Sequence, residues 1–259
     1  IDEVVVVGYA SQKKVNLTGS VASVDMGEIA EKRPITNLSS GLAGMAAGVS
    51  VTSSSNVPGN DNASILVRGQ GSLNNSAPLV IIDGVEGSLS SVQPQDIESL
   101  SVLKDAASAA IYGSRAANGV ILITTRTGKQ GKVKVEYNGY ISWESVGKTF
   151  DLVSNYADYM ELINEGLTNS NLPTTYSTNS IDLWRQNEGK DVLKYPNTNL
   201  MDAMFETSLS HNHNVSISGG SDKIRFYTSF GFLDNPGVME NSGYKKSQAR
   251  INLDMDVAS

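Results

Sequence analysis

The 259-residue chain has no cysteine, so a disulfide framework and a thiolate metal site are both excluded. Histidine is almost missing as well. His211 and His213 are the only two; their i, i+2 spacing puts both on one strand face, and a solvated strand end explains them better than a metal site. Basic residues are in deficit: 20 Lys and Arg face 27 Asp and Glu, for a net charge of −7. Nucleic-acid binding needs a basic footprint, so this balance argues against it. Long apolar runs are also absent. The longest, residues 4–7, 79–82 and 120–123, are far too short for a membrane helix. A transmembrane barrel stays open, because its strands are short and only half apolar. The opening IDEVVVV shows no signal peptide, and a mature or trimmed start is expected. With 39% apolar residues and a mean hydropathy of −0.19, the composition is not that of a disordered chain, and its length suits one large domain or two modest ones.

What is present falls into two textures. Up to about residue 128 the chain is rich in Gly, Ala, Ser, Val and Ile. Short strands are expected at residues 2–7, 19–24, 49–52, 64–68, 79–82, 99–103 and 120–125, with a short helix at 38–46. Between the last two strands, Ala-rich residues 105–111 favour one or two helical turns capped by Asp105. Residues 112–115 should break that helix, and Asn118-Gly119 is a turn signal. Asp83-Gly84 reads as a turn after the 79–82 strand, with Asp83 bonded locally. Beyond Gly128 the period becomes two: strands at 132–144, 215–219, 224–232 and 250–257 set one apolar face against one polar face. A helical patch at 156–166 interrupts them. The connections alternate long, short and medium, as in a transmembrane barrel, though a soluble antiparallel sheet shows the same residue alternation.

Signals for catalysis are thin. S-x-x-K occurs at residues 101–104, 11–14 and 242–245, and three hits in one chain are noise; RGQGS lacks the Lys and helix of a phosphate loop. No enzyme, cofactor or metal is expected. The loops at 53–60 and 69–78 are amide- and hydroxyl-rich, which suits hydrogen bonding to a sugar or a peptide backbone. Asn56, Asn60, Gln70, Ser72, Asn74, Asn75 and Ser76 are the candidate ligand-facing residues there. Residues Asp2, Glu3, Val4, Val5, Val6, Val7 and Gly8 read as an extended segment able to add to a partner's sheet edge; the alternative is an edge strand of the chain's own domain.

Two motifs, SILVRGQGSLNNSAPLVIIDGV (64–85) and DIESLSVLKDAASAAIYGSRAANGVILITTRTGK (96–129), closely resemble the plug domain of SusC/RagA-type TonB-dependent outer-membrane transporters. DEVVVVGYA (2–10) is similar to the segment that opens this plug and holds its TonB box. The stretch from HNVSISGG to residue 254 is similar to the family's first barrel strands. The resemblance implies an α+β plug followed by antiparallel strands of a transmembrane barrel of roughly 22 strands. It implies a TonB-box-like segment over residues 1–10, a plug over 11–128 and barrel strands and loops over 129–259. Four strands leave an unpaired edge in lipid, so the chain is expected to be the amino-terminal part of a longer protein. Implied, too, are a bacterial outer-membrane location of the Bacteroidetes type with the plug facing the periplasm, import of an oligosaccharide or peptide, and a SusD-like lipoprotein lid. TonB would pull from the periplasm. The alternative is a soluble β-rich surface binding or adhesion module. Plug signature and gating residues, on this resemblance, are Arg68, Gly69, Asp83, Gly84, Glu98, Lys104, Asp105, Tyr112, Gly113, Arg115, Asn118 and Gly119. Ala10 stands where the family has glycine, and Ser101 where it has an acidic residue, which leaves Glu98 as the expected carboxylate of a plug–barrel ion pair. Arg115 is expected to meet a carboxylate, either on the barrel wall or within the plug.

Overall fold

The computed structural model describes residues 4–7, 10–13, 21–24, 26, 35–71, 76–105, 109–148 and 150–257, and for 4–7 and 10–13 the backbone alone. The chain divides into two compact units: Ile1–Ser142 with Leu209–Pro236 and Gly243–Ser259, and Trp143–Ser208 with Gly237–Ser242.

The first unit contains a mixed sheet built from β3 (Val21–Val24), β6 (Leu79–Ile82), β7 (Val85–Glu86), β8 (Ile97–Leu103) and β9 (Val120–Thr125), in the order β3-β8-β9-β6-β7. The β6–β9 pair is parallel and the others antiparallel. Central strands covered on both faces read as continuous apolar runs, which is why β8 and β9 lack alternation. On one face Leu100 opposes Ile123 and Val102 opposes Ile121. They join a core with Leu38 and Leu42 beside α1 (Leu38–Gly41), and with Ile65 and Val67 of the hairpin β4 (Val49–Thr52) and β5 (Ser64–Val67). On the other face Leu103, Val120, Leu122, Leu79 and Ile81 pack with Ala109 and Ala116. A separate hairpin pairs β1 (Val4–Val7) with β2 (Ala10–Lys13).

The stretch between β8 and β9 departs from expectation. The Ala109 amide donates to the Asp105 carbonyl, and the chain then winds as a 3-10 helix over Ala110–Asn118. The helix does not end at residue 111. It kinks at Gly113, whose φ is +68°, and winds on until Ala116 is buried against the sheet. Ala110 is exposed, so Ala109 and Ala116 are the small residues that packing demands. Gly119 then turns into β9 at φ +90°, and a Cβ there would meet the Val67 side chain at 2.9 Å; only glycine suits both constraints. The helix expected at 38–46 stops at Gly41, because the chain turns at positive-φ Gly44 and Gly48. β8 begins two residues earlier than expected, with a bulge at Glu98.

Four long strands complete the unit as an antiparallel meander: β10 (Gly131–Glu144), β11 (Ser208–Gly220), β12 (Ile224–Asn235) and β13 (Tyr244–Met255). β11 and β13 extend well beyond the predicted 215–219 and the start at 250, because strand pairing continues where apolar alternation fades. Val257 lies past the end of β13. Burial in the meander is inverted. Ser210, Asn212, Asn214, Ser216 and Ser229 are buried. Val133, Val135, Phe230, Ile251 and Leu253 are exposed on the opposite face, with Ile251 at 73% and Phe230 at 55%. Phe226 shares their face in register and is half-buried.

The second unit holds α2 (Tyr156–Asn169), α3 (Thr178–Asn187) and α4 (Leu200–Met204). The Asn155 side chain accepts from the Ala157 and Asp158 amides and so starts α2, which runs three residues beyond the expected 166. Ala157 and Met160 pack on Ile181 of α3. Arg185 donates to Glu161 at 2.6 Å and to Asp158 at 3.1 Å. That hydrogen bond, ahead of the bare charge, holds the Glu161 carboxyl below the usual carboxylate range.

Candidate functional site

The chemistry-bearing side chains converge where the mixed sheet meets the polar face of the meander. The Ile82–Val85 hairpin uses Asp83 and Gly84, both at positive φ, as a two-residue turn. Asp83 is not bonded locally: its Oδ1 accepts from the Thr125 amide at 2.8 Å and its Oδ2 from Thr125 Oγ1 at 2.7 Å. Parallel pairing of β6 with β9 brings the end of β9 to that turn, a contact invisible to local sequence. From β13, the Arg250 guanidinium reaches Asp83 at 3.5 Å and Asp96 at 3.9 Å. Asp96 is buried, and its Oδ1 accepts from the Tyr227 hydroxyl of β12 at 2.9 Å. Asn252 donates to Thr125 Oγ1 at 2.9 Å and to the Arg126 carbonyl at 2.7 Å.

A second set of contacts holds the segment between β7 and β8. Asn214 donates to Gln93 Oε1 at 3.1 Å in a buried setting. Gln93 lies against the backbone of Gly231, where any Cβ would collide with its amide, so glycine permits the close approach. Lys246 donates to the Ser90 carbonyl at 2.7 Å. Beside these contacts lies a cavity of about 440 Å³, lined among others by Glu98, Arg126, Lys129, Lys134, Glu136 and Tyr227. Its charges pair among themselves: Lys134 with Glu136 at 2.9 Å, Arg126 with Glu136 at 3.6 Å and Lys129 with Glu98 at 3.7 Å.

Several predicted residues therefore sit elsewhere than expected. Among the described residues Glu98, exposed beside the bulge, has no ion pair to the long strands; it lies 3.7 Å from Lys129, which precedes β10, while Asp83 and Asp96 face Arg250 of the meander. Arg115, by contrast, meets one of its two expected partners, a carboxylate inside the mixed domain: it pairs with Glu86 at 2.6 Å, both side chains exposed. Tyr112 packs on the second core face, Lys104 and Asp105 are half-buried after β8, and Asn118 precedes the Gly119 turn. Arg68 and Gly69 follow β5 at positive φ. Asn56, Asn60 and Gln70 are exposed on loops, and Ser76 is half-buried. Asp2, Glu3, Gly8, Ser72, Asn74 and Asn75 lie outside the described residues, while Val4, Val5, Val6 and Val7 form β1. His211 and His213 lie within β11 rather than at a solvated end, and His213 Nδ1 lies 2.6 Å from the Tyr137 hydroxyl. Gln93, Asp96, Thr125, Tyr227, Arg250 and Asn252 went unrecognised in the sequence. For all but Gln93, which lies in the segment between β7 and β8, the one signal available was a polar residue on an otherwise regular strand or at a strand end.

No nucleophile is placed against a base among these contacts. They instead form a polar seam. Its carboxylate and guanidinium contacts are charge-assisted, roughly twice as strong as neutral hydrogen bonds, and they hold the sheet in register against the strands.

Comparison with known proteins agrees with this arrangement. The TonB-dependent Receptor Plug Domain family matches residues 13–120. The TonB-dependent receptor SusC of Bacteroides thetaiotaomicron is 40% identical over 98% of this chain, which covers 24% of that protein. The TonB-dependent receptor P26 of Formosa agariphila is 36% identical over 98% of the chain and 25% of its own length. A solved structure of the RagAB peptide importer in an open-open state superposes with a TM-score of 0.81 at 28% identity, covering 99% of this chain and 31% of that one. The chain thus spans about a quarter of the length of the curated relatives it matches.

Proposed function

Because the chain belongs to the SusC/RagA-type TonB-dependent receptors, as a plug domain with the first antiparallel strands, we propose that it gates import of a nutrient across the bacterial outer membrane. The observation that carries this reading is the inverted meander. Burying a Val, Leu, Ile or Phe side chain contributes about 1.5–3 kcal/mol, so a sheet that turns such residues outward and its Ser and Asn inward is suited to lipid outside and a polar domain inside. That same inversion disfavours a soluble adhesion module. In this reading the mixed domain fills the lumen and the Asp83–Asp96–Arg250 seam seats it against the wall. The segment holding β1 is the handle for TonB in the periplasm. An oligosaccharide or a peptide is the cargo, with a SusD-like lipoprotein over the outer mouth.

Deletion of residues 2–7 in the full-length receptor tests the proposal. Uptake should be abolished while the protein stays inserted and binds cargo at the cell surface. Uptake that survives the deletion would overturn it, and lost surface binding would show the segment to be structural. Growth of a receptor-deletion strain on a panel of glycans and peptides would then decide the cargo.

A further inference from the structure

The mixed domain is not held evenly along the meander. Its bonds run mainly to β12 and β13: Tyr227 to Asp96, Arg250 to Asp83 and Asp96, Asn252 to Thr125, and Lys246 to the Ser90 carbonyl. The backbone approaches closely on that side too. Gly128 lies against the Phe226 backbone and Gly231 against Gln93, each with no room for a Cβ. From β11, among the described residues, the side-chain bond that crosses to the mixed domain is Asn214 to Gln93. From β10, Glu136 faces Arg126, which lies on the connection from β9 into β10 itself.

Two observations mark the β10–β11 side as a place for something polar. At one end Ser210 is fully buried and Asn212 is 6% exposed, yet Ser210 Oγ and Asn212 Oδ1 have no hydrogen-bond partner among the described residues. Unmatched buried polar groups are costly, and native folds keep few of them. At the other end lies the cavity of about 440 Å³, where Arg126, Lys129, Lys132 and Lys134 outnumber Glu98 and Glu136. Between the two ends the buried side chains of β11 are Asn214 and Ser216. The strip is amide and hydroxyl along its length and basic at its foot. The short β11–β12 turn lies at the cavity end, and short turns of such a barrel are periplasmic. The strip therefore runs from the outer side toward the periplasm.

We propose that β12 and β13 are the fixed side of the seam and β10 and β11 the opening side, so that cargo crosses along the inward face of β11 and leaves through the cavity. The inference rests on the importer reading. Parting the Gln93–Asn214 bond bares Ser210, Asn212, Asn214 and Ser216, whose hydroxyls and amides both donate and accept hydrogen bonds. They suit a hydrated chain rich in hydroxyls or amides, and offer nothing to an apolar solute.

This stretch has no cysteine, so one thiol introduced into the full-length receptor can be read against the parent. Ser210→Cys on β11 and Ser229→Cys on β12 put the same near-isosteric change at two buried serines. Cells are supplied with the growth-panel nutrient that requires the receptor, and labelled with a membrane-impermeant maleimide. Labelling of the Ser210→Cys receptor should accelerate at least tenfold over cells without the nutrient, and that of the Ser229→Cys receptor should stay near its resting rate. Equal acceleration at both positions, or acceleration at Ser229→Cys alone, would overturn the proposal. A second measurement joins Gln93→Cys to Asn214→Cys with a short reducible bis-thiol reagent. That link should abolish uptake until reductant is added, whereas a link between Ser90→Cys and Gln248→Cys, on the β13 side, should cost less than half of it. Uptake that survives the β11 link, or is lost equally with both, would also overturn the proposal. Failure of the importer reading is separately visible, since it is decided by uptake after deletion of residues 2–7 in a receptor without these substitutions.

Discussion

The mixed sheet and the meander are both β-structures of one chain, built to opposite burial rules. In β8 and β9 apolar residues are buried on both faces, and Leu100, Ile121 and Val120 have no exposed surface. In β11 and β12 the buried residues are mostly polar, Ser210, Asn212, Asn214, Ser216 and Ser229 among them with Tyr227 and Leu233, while Val215, Ile217, Ile224 and Phe230 look out. The physics is the same in both. A side chain goes where its surroundings match it, and the difference lies in what surrounds each sheet. The mixed sheet makes its own apolar interior from α1, the β4–β5 hairpin and the Ala109–Ala116 region. The meander has a polar domain on one side and is matched to lipid on the other.

Truncating one apolar side chain in each sheet should separate the two cases most clearly. Leu100→Ala empties a fully buried site and should cost about 2–5 kcal/mol. The full-length receptor should then admit antibiotics normally excluded by the outer membrane. Phe230→Ala, at an exposed position of β12, should leave the leak unchanged. Equal leakage from both would mean that the meander face is an ordinary core.

Adding charge should reverse the asymmetry. Ile251 sits mid-strand opposite Thr228 on the outward face. Ile251→Arg should cost about 2–4 kcal/mol if that face meets the bilayer midplane, seen as loss of the heat-modifiable folded band in outer-membrane fractions. Normal assembly of Ile251→Arg would place the face in water.

The seam between the two regions comes next in size. Arg250→Ala leaves the buried Asp96 with Tyr227 alone and should cost about 1–3 kcal/mol. Antibiotic leakage should rise, less than for Leu100→Ala. The discriminating control is Arg115→Ala, which removes a solvent-exposed pair inside the mixed domain and should leave leakage unaltered.

Much of the architecture was legible because it depends on neighbours along the chain. Strands at 79–82 and 120–125 were readable from their apolar runs, that at 49–52 from its alternation, and the meander's outward-facing residues from period two. What stayed hidden depends on partners far away in sequence. Asp83 reads locally as a turn residue, but its hydrogen bonds go to Thr125, 42 residues on. Arg250 reads as one polar position among several on β13, and nothing beside it reveals two facing carboxylates. Glu98 looked like the acidic partner because Ser101 stands where the family has a carboxylate, yet a bulge, which pattern alone does not announce, turns it outward. The 3-10 winding of Ala110–Asn118 was likewise invisible, because an Ala-rich segment favours a helix without saying where the sheet requires Ala109 and Ala116.

Two arginines offer the finest comparison, since Arg185 and Arg250 each face a pair of carboxylates in different surroundings. Of the groups around Arg250, Asp96 is closed to water and Asp83 is not, whereas Arg185, Asp158 and Glu161 are all solvent-exposed. Glu161 is the group to titrate, because the hydrogen bond from Arg185 lowers its folded-state pKa. A lowered carboxyl contributes stability that is fully present above the unfolded value, about 4.3 for Glu, and is lost as pH falls through the lower folded value. Amide exchange across α2 and α3, corrected for intrinsic rates, should therefore show protection that declines on acidification below that range. Glu161→Gln should flatten this Glu161-linked part of the decline, leaving protection at neutral pH only slightly reduced, because exposed ion pairs are screened and contribute little. Raising salt should shrink the wild-type difference further. A decline that persists undiminished in Glu161→Gln would assign the acid response to another carboxylate of the unit, and a large loss of protection at neutral pH would mean that this exposed pair bears far more of the α2–α3 packing than its geometry implies.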